Sequence, residues 1–183
     1  MRYSVVIPSI GRPSLDRLLE TLAAQDALDG LAEVIVVDDR PTGAGLELAA
    51  HALPTRVLRS WGRGPAAARN TGWRSATTPW VVFLDDDVEL LPGWSQALAR
   101  DLQACGPDVA GTQGRLSVPL PRDRRPTDWE RNVRGLETAR WATADMAYRR
   151  EALEEAGGFD ERFPRAYRED ADLGLRVVRA GYR

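Results

Sequence analysis

The sequence predicts an α/β fold of three layers with a mostly parallel central sheet. Strand-like and helix-like segments alternate through the first half, the pattern of βαβ units. The strand-like segments are short apolar runs without polar alternation, as expected where helices cover both faces of a sheet. Several of them end in Ser or Asp, and in an open sheet of this kind ligands bind beyond the carboxyl ends of the strands. At 183 residues the chain can bury one core without disulfides.

Taken in order, the first strand is expected at Tyr3 to Ile7, stopped by Pro8. Pro13 opens a helix whose Leu15, Leu18, Leu19 and Leu22 fall on one face. Val34 to Val37 reads as the second strand, and Gly43 to Ala52 as a short surface helix carrying His51. Arg56 to Leu58 is a short third strand, and Ala66 to Ala76 a helix with Pro65 in its first turn. The fourth strand, Trp80 to Leu84, precedes a helix over Pro92 to Ala104, ended by Gly106-Pro107. Val109 to Leu116 is expected as a fifth strand, and Pro119 to Pro126 as a mobile loop. Ala147-Tyr148 is a short strand, Arg150 to Ala156 a helix closed by Gly157-Gly158, and Phe159 to Tyr167 irregular. Glu169 to Ala180 is the last helix. The chain then stops at Gly181-Tyr182-Arg183, where another strand would normally follow, so a truncated C-terminus is expected.

Composition excludes several chemistries. The net charge of -2 offers no broad attraction to nucleic acid or anionic membrane. All 25 basic residues are Arg, so a Walker-type phosphate lysine, a Schiff-base lysine and a lysine general base are all absent. Any side-chain contact to phosphate falls to Arg, whose fork suits it. No apolar run reaches the length of a membrane span, and no leader is expected before Tyr3. The lone Cys105 fits a reducing, cytoplasmic setting, with a peripheral membrane position left open.

The chemistry is expected at one edge of the sheet. Three adjacent carboxylates, Asp85, Asp86 and Asp87, repel one another unless a cation sits among them, whereas a solvated acidic turn is the simpler alternative. Asp38-Asp39 ends the second strand and Pro8-Ser9 the first, so chain direction brings all three segments to the same edge. Gly64 to Asn70 is a loop opening a helix, where Arg69 could reach an anion or simply face solvent. Glu169-Asp170 opens the last helix, either as a favourable start for the helix dipole or as a general base on a rigid element.

Together these segments resemble the family-2 glycosyltransferases of the GT-A fold, in order and over nearly the whole chain. Val5-Val6-Ile7-Pro8 with Leu15, Leu18 and Leu19 is similar to the family's first strand and helix, and Val36-Val37-Asp38-Asp39 to its second-strand acidic motif. Gly64 to Asn70 resembles its Gly-x-x-x-Ala-Arg-Asn segment, and Phe83 to Asp87 its Asp-x-Asp. Gly157 to Glu161 and Glu169-Asp170-x-Asp172-Leu173 resemble its acceptor-side motifs.

The resemblance implies an inverting, metal-dependent transfer of a sugar from a nucleotide-diphosphate donor to an acceptor hydroxyl. The acceptor (lipid-linked, glycan, protein or small molecule) is left open. It implies that Asp39 binds the nucleobase in a pocket lined by Pro8 and Ser9, that Arg69 contacts the nucleotide, and that Asp85 and Asp86 lie on the donor side. Asp87, with Asp85, would hold Mn²⁺ or Mg²⁺. Asp170 would take the acceptor proton, with Glu169 or Asp172 next in line. The family often completes its metal site with a downstream His, whereas the only histidine here is His51, which is not expected to be a ligand. The implied organisation is a single domain over residues 1–183, with a donor half (1–113) and an acceptor half (114–183). Two other readings stay open at this point: a GT-A-like module that binds without catalysis, and a haloacid-dehalogenase-type phosphatase, which also places Asp-x-Asp after an apolar strand.

Overall fold

The structure, a computed structural model, describes residues 1–163 and 165–183. Its centre is a six-stranded sheet in the order β3-β2-β1-β4-β6-β5. The strands are β1 (Tyr3–Ser9), β2 (Leu31–Asp38), β3 (Thr55–Arg59), β4 (Trp80–Leu84), β5 (Gly111–Gln113) and β6 (Asp145–Arg149). β1 to β4 run parallel, while β6 pairs antiparallel with both β4 and β5. The α/β fold with a mostly parallel sheet is therefore the fold observed.

The apolar strands are buried on both sides, as their lack of alternation requires. Val5, Ile7, Val34, Val36, Val82 and Leu84 pack on one face against α1 (Ser14–Ala23) and α3 (Trp94–Ala104). Val6, Ile35, Val37, Val81 and Phe83 pack on the other against α2 (Pro65–Ser75), α5 (Arg150–Ala156) and α6 (Glu169–Arg179). α2 lies close on the sheet through its alanines and Gly72, where a Cβ would stand 2.3 Å from Val6.

The strand order reverses at β1, whose neighbours are β2 on one side and β4 on the other, so the β1/β4 junction is the topological switch point. β1 pairs with β4 only from Tyr3 to Val6, but with β2 as far as Ser9. The two strands therefore part beyond Val6 and open a crevice. This explains why Pro8 does not stop β1 as expected. Ser9 O accepts from Asp39 N at 2.8 Å on the β2 side, so the missing N–H of Pro8 belongs to the unpaired β4 side.

Other elements differ from the sequence reading for identifiable reasons. Gly43 to Ala52 forms no helix. Arg40 Nη2 and Arg59 Nη1 donate to the carbonyls of Ala44 and Gly43, at 2.9 and 3.0 Å, and so draw away groups a first helical turn would use. His51 instead closes a turn, its Nδ1 accepting from Leu53 N at 3.3 Å. β5 ends at Gln113, although Gly114 N still donates to Asp145 O at 2.8 Å, and the Asp145 side chain fills the space a Cβ at 114 would need. β6 runs longer than Ala147-Tyr148. After Pro126 the chain forms α4 (Asp128–Arg134), absent from the sequence reading, and then a 3-10 turn (Gly135–Thr138). Pro164, part of the stretch read as irregular, lies outside the described residues. Among the described residues no helix is long and apolar enough to cross a membrane.

Candidate active site

The crevice between β1 and β4 is closed at its floor by one hydrogen bond. Ser9 Oγ donates to Asp86 Oδ2 at 2.6 Å and accepts from Gly11 N at 2.9 Å, both groups being buried. Arg12 Nη1 lies 3.3 Å from Asp86 and 3.5 Å from Asp87, so a guanidinium spans the second and third aspartates. Ser9 and Asp86 thus form the joint between the two strands.

Asp85 points to the other face of the sheet. Arg69, in α2, donates through Nη2 to Asp85 at 2.7 Å and through Nη1 to Glu169 at 2.8 Å, across one hundred residues of sequence. Its side chain is 3% exposed. Burial works against the guanidinium charge, and the two carboxylates more than offset it, so its pKa is raised. The ring of Phe159 lies 5.6 Å beneath. The next residue, Asn70, is satisfied on every side. Its amide donates to Phe159 O and Glu161 at 2.8 and 2.9 Å, and its oxygen accepts from Phe159 N and Trp73 Nε1. In this way α2 gathers β4, the Gly157 to Glu161 turn and the start of α6 into one rim.

The three adjacent aspartates therefore take different side-chain partners, and guanidinium groups supply part of their neutralisation. Asp87 alone faces outward, with a side chain 61% exposed. The crowding of protein around it, then the charges of Asp85 and Asp86, push its carboxyl above the usual range. Among the described residues no three His, Cys, Asp or Glu side chains converge as a ready-made metal cage. One outward carboxylate with a raised pKa, beside other anions, still fits an ion that takes most of its ligands from substrate phosphates and water.

At the end of β2 the two aspartates separate. Asp38 is buried and gripped by Arg40 at 2.8 and 2.9 Å, a bond that holds its carboxyl below the ordinary range. Asp39 accepts from Ser60 Oγ at 2.6 Å and from Gly64 N at 2.9 Å, so it ties down both ends of the loop between β3 and α2. Asp170 sits in the first turn of α6, half-buried, with Oδ1 accepting from Ala171 N at 2.7 Å. Burial, followed by the charge of Asp170, pushes up the nearby Tyr148 phenol. Asp172 pairs with Arg176 at 2.7 Å on its own helix.

The residues singled out from sequence thus fall into two groups. Pro8, Asp85, Asp87 and Asp170 keep exposure at the rim, whereas Ser9, Asp86, Arg69 and Glu169 hold one another below it and Asp39 is buried at the end of β2, bound to Ser60 and Gly64. Both terminal nitrogens of Arg69 serve carboxylates in this arrangement. Glu169 is likewise occupied.

One rim carboxylate escaped sequence reading. Asp145 starts β6 in register with Leu84, accepts from Trp94 Nε1 at 3.0 Å, and is raised to about 6 by burial, with the charge of Asp101 adding to this and the Trp94 bond opposing it. A lone Asp after Thr143-Ala144 carries no signal. Only the strand pairing brings it beside the end of β4.

Comparison with known proteins agrees with this architecture. The family model described as glycosyl transferase family 2 matches residues 4–171. A pre-mycofactocin glycosyltransferase of Mycobacterium tuberculosis is 34% identical over 98% of this chain, which spans 40% of that relative's length. Among solved structures, the mannosyltransferase PcManGT from Pyrobaculum calidifontis, in complex with GDP-Man and Mn²⁺, is 25% identical with a TM-score of 0.65, over all of this chain and 53% of that one. S. aureus TarS 1-349 in complex with UDP-GlcNAc has a TM-score of 0.67 at 17% identity, over 97% of this chain and 53% of that one, a likeness of fold alone. With its six-stranded α/β sheet and the acidic rim in the expected order, this chain belongs to glycosyl transferase family 2.

Proposed function

We propose that the chain is the catalytic domain of an inverting glycosyltransferase, which moves a sugar from a nucleotide-diphosphate donor to an acceptor hydroxyl with the help of Mn²⁺ or Mg²⁺. The observation that carries this is the double ion pair of Arg69, which brings the end of β4 and the start of α6 to one rim. The relative solved with GDP-Man and Mn²⁺ supports the donor class and the ion.

In this reading Asp39 binds the nucleobase, with Pro8 and the β1 end beside it, and Asp85 lies on the ribose side. Residues 1–113 form the donor half and residues 114–183 the acceptor half of one domain. Asp87 would hold the ion, which when bound neutralises charge on the leaving diphosphate. Asp170 receives the proton of the acceptor hydroxyl. The freed oxygen attacks the anomeric carbon as the bond from that carbon to the diphosphate oxygen breaks on the opposite face. One displacement of this kind inverts the centre, so no carboxylate nucleophile is required. Glu169 acts as a positioning residue: its buried pair with Arg69 fixes the first turn of α6 and hence Asp170. The setting proposed is cytoplasmic, with peripheral contact to a membrane where the acceptor is lipid-linked.

The test is nucleotide release from UDP-, GDP-, ADP- and TDP-sugars, with Mn²⁺ and with EDTA. Turnover of at least one donor that EDTA abolishes is the expected result. Metal-dependent binding of a donor without turnover, in this chain and in a longer one, would favour a binding module instead.

A further inference from the structure

The loop from Ser60 to Gly64 presents an exposed indole next to the end of β2. Trp61 has φ +62, a left-handed backbone that a bulky side chain rarely adopts. Such outliers persist where the surroundings over-determine them, and they cluster at ligand sites. Here the determinants are visible. Ser60 and Gly64 both bond Asp39. Gly62 seats against Pro41, where a Cβ would stand 2.8 Å away. The strain does not serve burial, because Trp61 is 60% exposed.

The indole is nevertheless braced. The Arg59 guanidinium stacks on the ring at 3.9 Å, while Arg59 Nη1 is anchored on Gly43 O at 3.0 Å. Arg59 Nε also lies 3.8 Å from Oδ2 of the buried Asp38, so the guanidinium is fixed between a carboxylate, a backbone carbonyl and the ring. One face of Trp61 is thus backed by a cation, which leaves the other for a flat ligand.

The sheet order says which ligand. β2, which ends in Asp39, lies between β3, which leads to Trp61, and β1, which leads to the exposed Ile10. Two inter-strand spacings separate these flanking strands, about 10 Å at the backbone. Asp39 ends the strand between them, and its carboxylate is tied to the Trp61 loop through Ser60 and Gly64. A carboxylate accepts N–H groups on the edge of a nucleobase, and an aromatic wall accepts its face. An acceptor sugar would instead approach α6, on the far side of β4.

We propose that Trp61 is a stacking wall for the nucleobase of a nucleoside diphosphate, an inference that rests on the donor class proposed above. Isothermal titration of the wild-type chain with UDP, GDP, ADP and CDP, each with Mn²⁺, identifies the base that binds. The same titration is then made on Trp61→Ala, Trp61→Phe and Trp61→Gly, with inorganic pyrophosphate and Mn²⁺ as the ligand lacking a base. Trp61→Gly accepts the left-handed backbone without strain, and far-UV circular dichroism checks that all variants fold. Loss of about tenfold or more in nucleoside diphosphate affinity is expected for Ala and Gly, with most of it restored in Phe and pyrophosphate binding unchanged. Wild-type affinity in folded Trp61→Ala and Trp61→Gly would overturn the stacking role while leaving the donor class intact. If no nucleoside diphosphate binds the wild-type chain, both the donor class and this inference fall.

Discussion

Arg69 Nη1 lies 2.8 Å from a carboxylate oxygen of Glu169, one hundred residues away, and both side chains are buried. A buried ion pair is weak support for stability in itself, because desolvation offsets much of its attraction. Its value here is positional: Glu169 cannot leave Arg69 without uncovering an unpaired charge, so the start of α6 is held against β4.

Glu169→Gln is therefore expected to lower stability by about 1–3 kcal/mol, since it removes one of the two charges that neutralise the buried Arg69 while Asp85 keeps the other. Urea unfolding measures this. If positioning is its role, kcat falls while donor affinity stays near wild type.

A second consequence concerns the crevice floor. Ser9→Ala removes the donor to the buried Asp86 and the acceptor for Gly11 N. The expected cost is about 1–3 kcal/mol, the penalty for leaving a buried carboxylate short of a partner. An unchanged urea midpoint would show that Arg12 alone satisfies Asp86.

Asp145 makes a prediction about pH. Its carboxyl is raised from 3.8 to about 6 in the native protein. Below pH about 4 the group is protonated in both folded and unfolded chains, and its favourable contribution is fully present. As pH rises the unfolded chain releases the proton first, so stability falls through the window up to about 6. At two units of separation the loss approaches about 2–3 kcal/mol, an upper figure for a group that is not wholly buried. Asp145→Asn keeps an acceptor for Trp94, so it should raise Tm at pH 7.5 and change it little at pH 4. A Tm difference independent of pH would contradict this.

Much of this was readable from sequence because it is local. Apolar runs such as Trp80 to Leu84 and the leucine face of α1 declare a strand and a helix without reference to the rest of the chain. The Ser and Asp residues at the strand ends declare which edge carries chemistry. α4 could also have been found, since Thr127 and Glu130 form a capping box that stands in the sequence as Thr-x-x-Glu. The helix expected over Gly43 to Ala52 failed because side chains from elsewhere, Arg40 and Arg59, captured its carbonyls. The fates of Asp85, Asp86 and Asp87 were hidden for a related reason. Identical neighbours face different partners, and those partners, Arg69, Ser9 and Arg12, come from distant turns of the chain.

Metal dependence divides the rim by function. Asp87→Ala is expected to weaken Mn²⁺-dependent donor binding about tenfold or more, because it removes the outward carboxylate best placed to hold the ion. Titration of donor at fixed Mn²⁺ checks this, and wild-type affinity would assign the ion elsewhere.

The most direct test of the account is the rate of sugar transfer by Asp170→Asn at saturating donor and Mn²⁺. The proposed role of Asp170 as proton acceptor predicts a fall of about 10²–10⁴-fold in kcat with donor affinity retained. Wild-type turnover by the folded variant would contradict it.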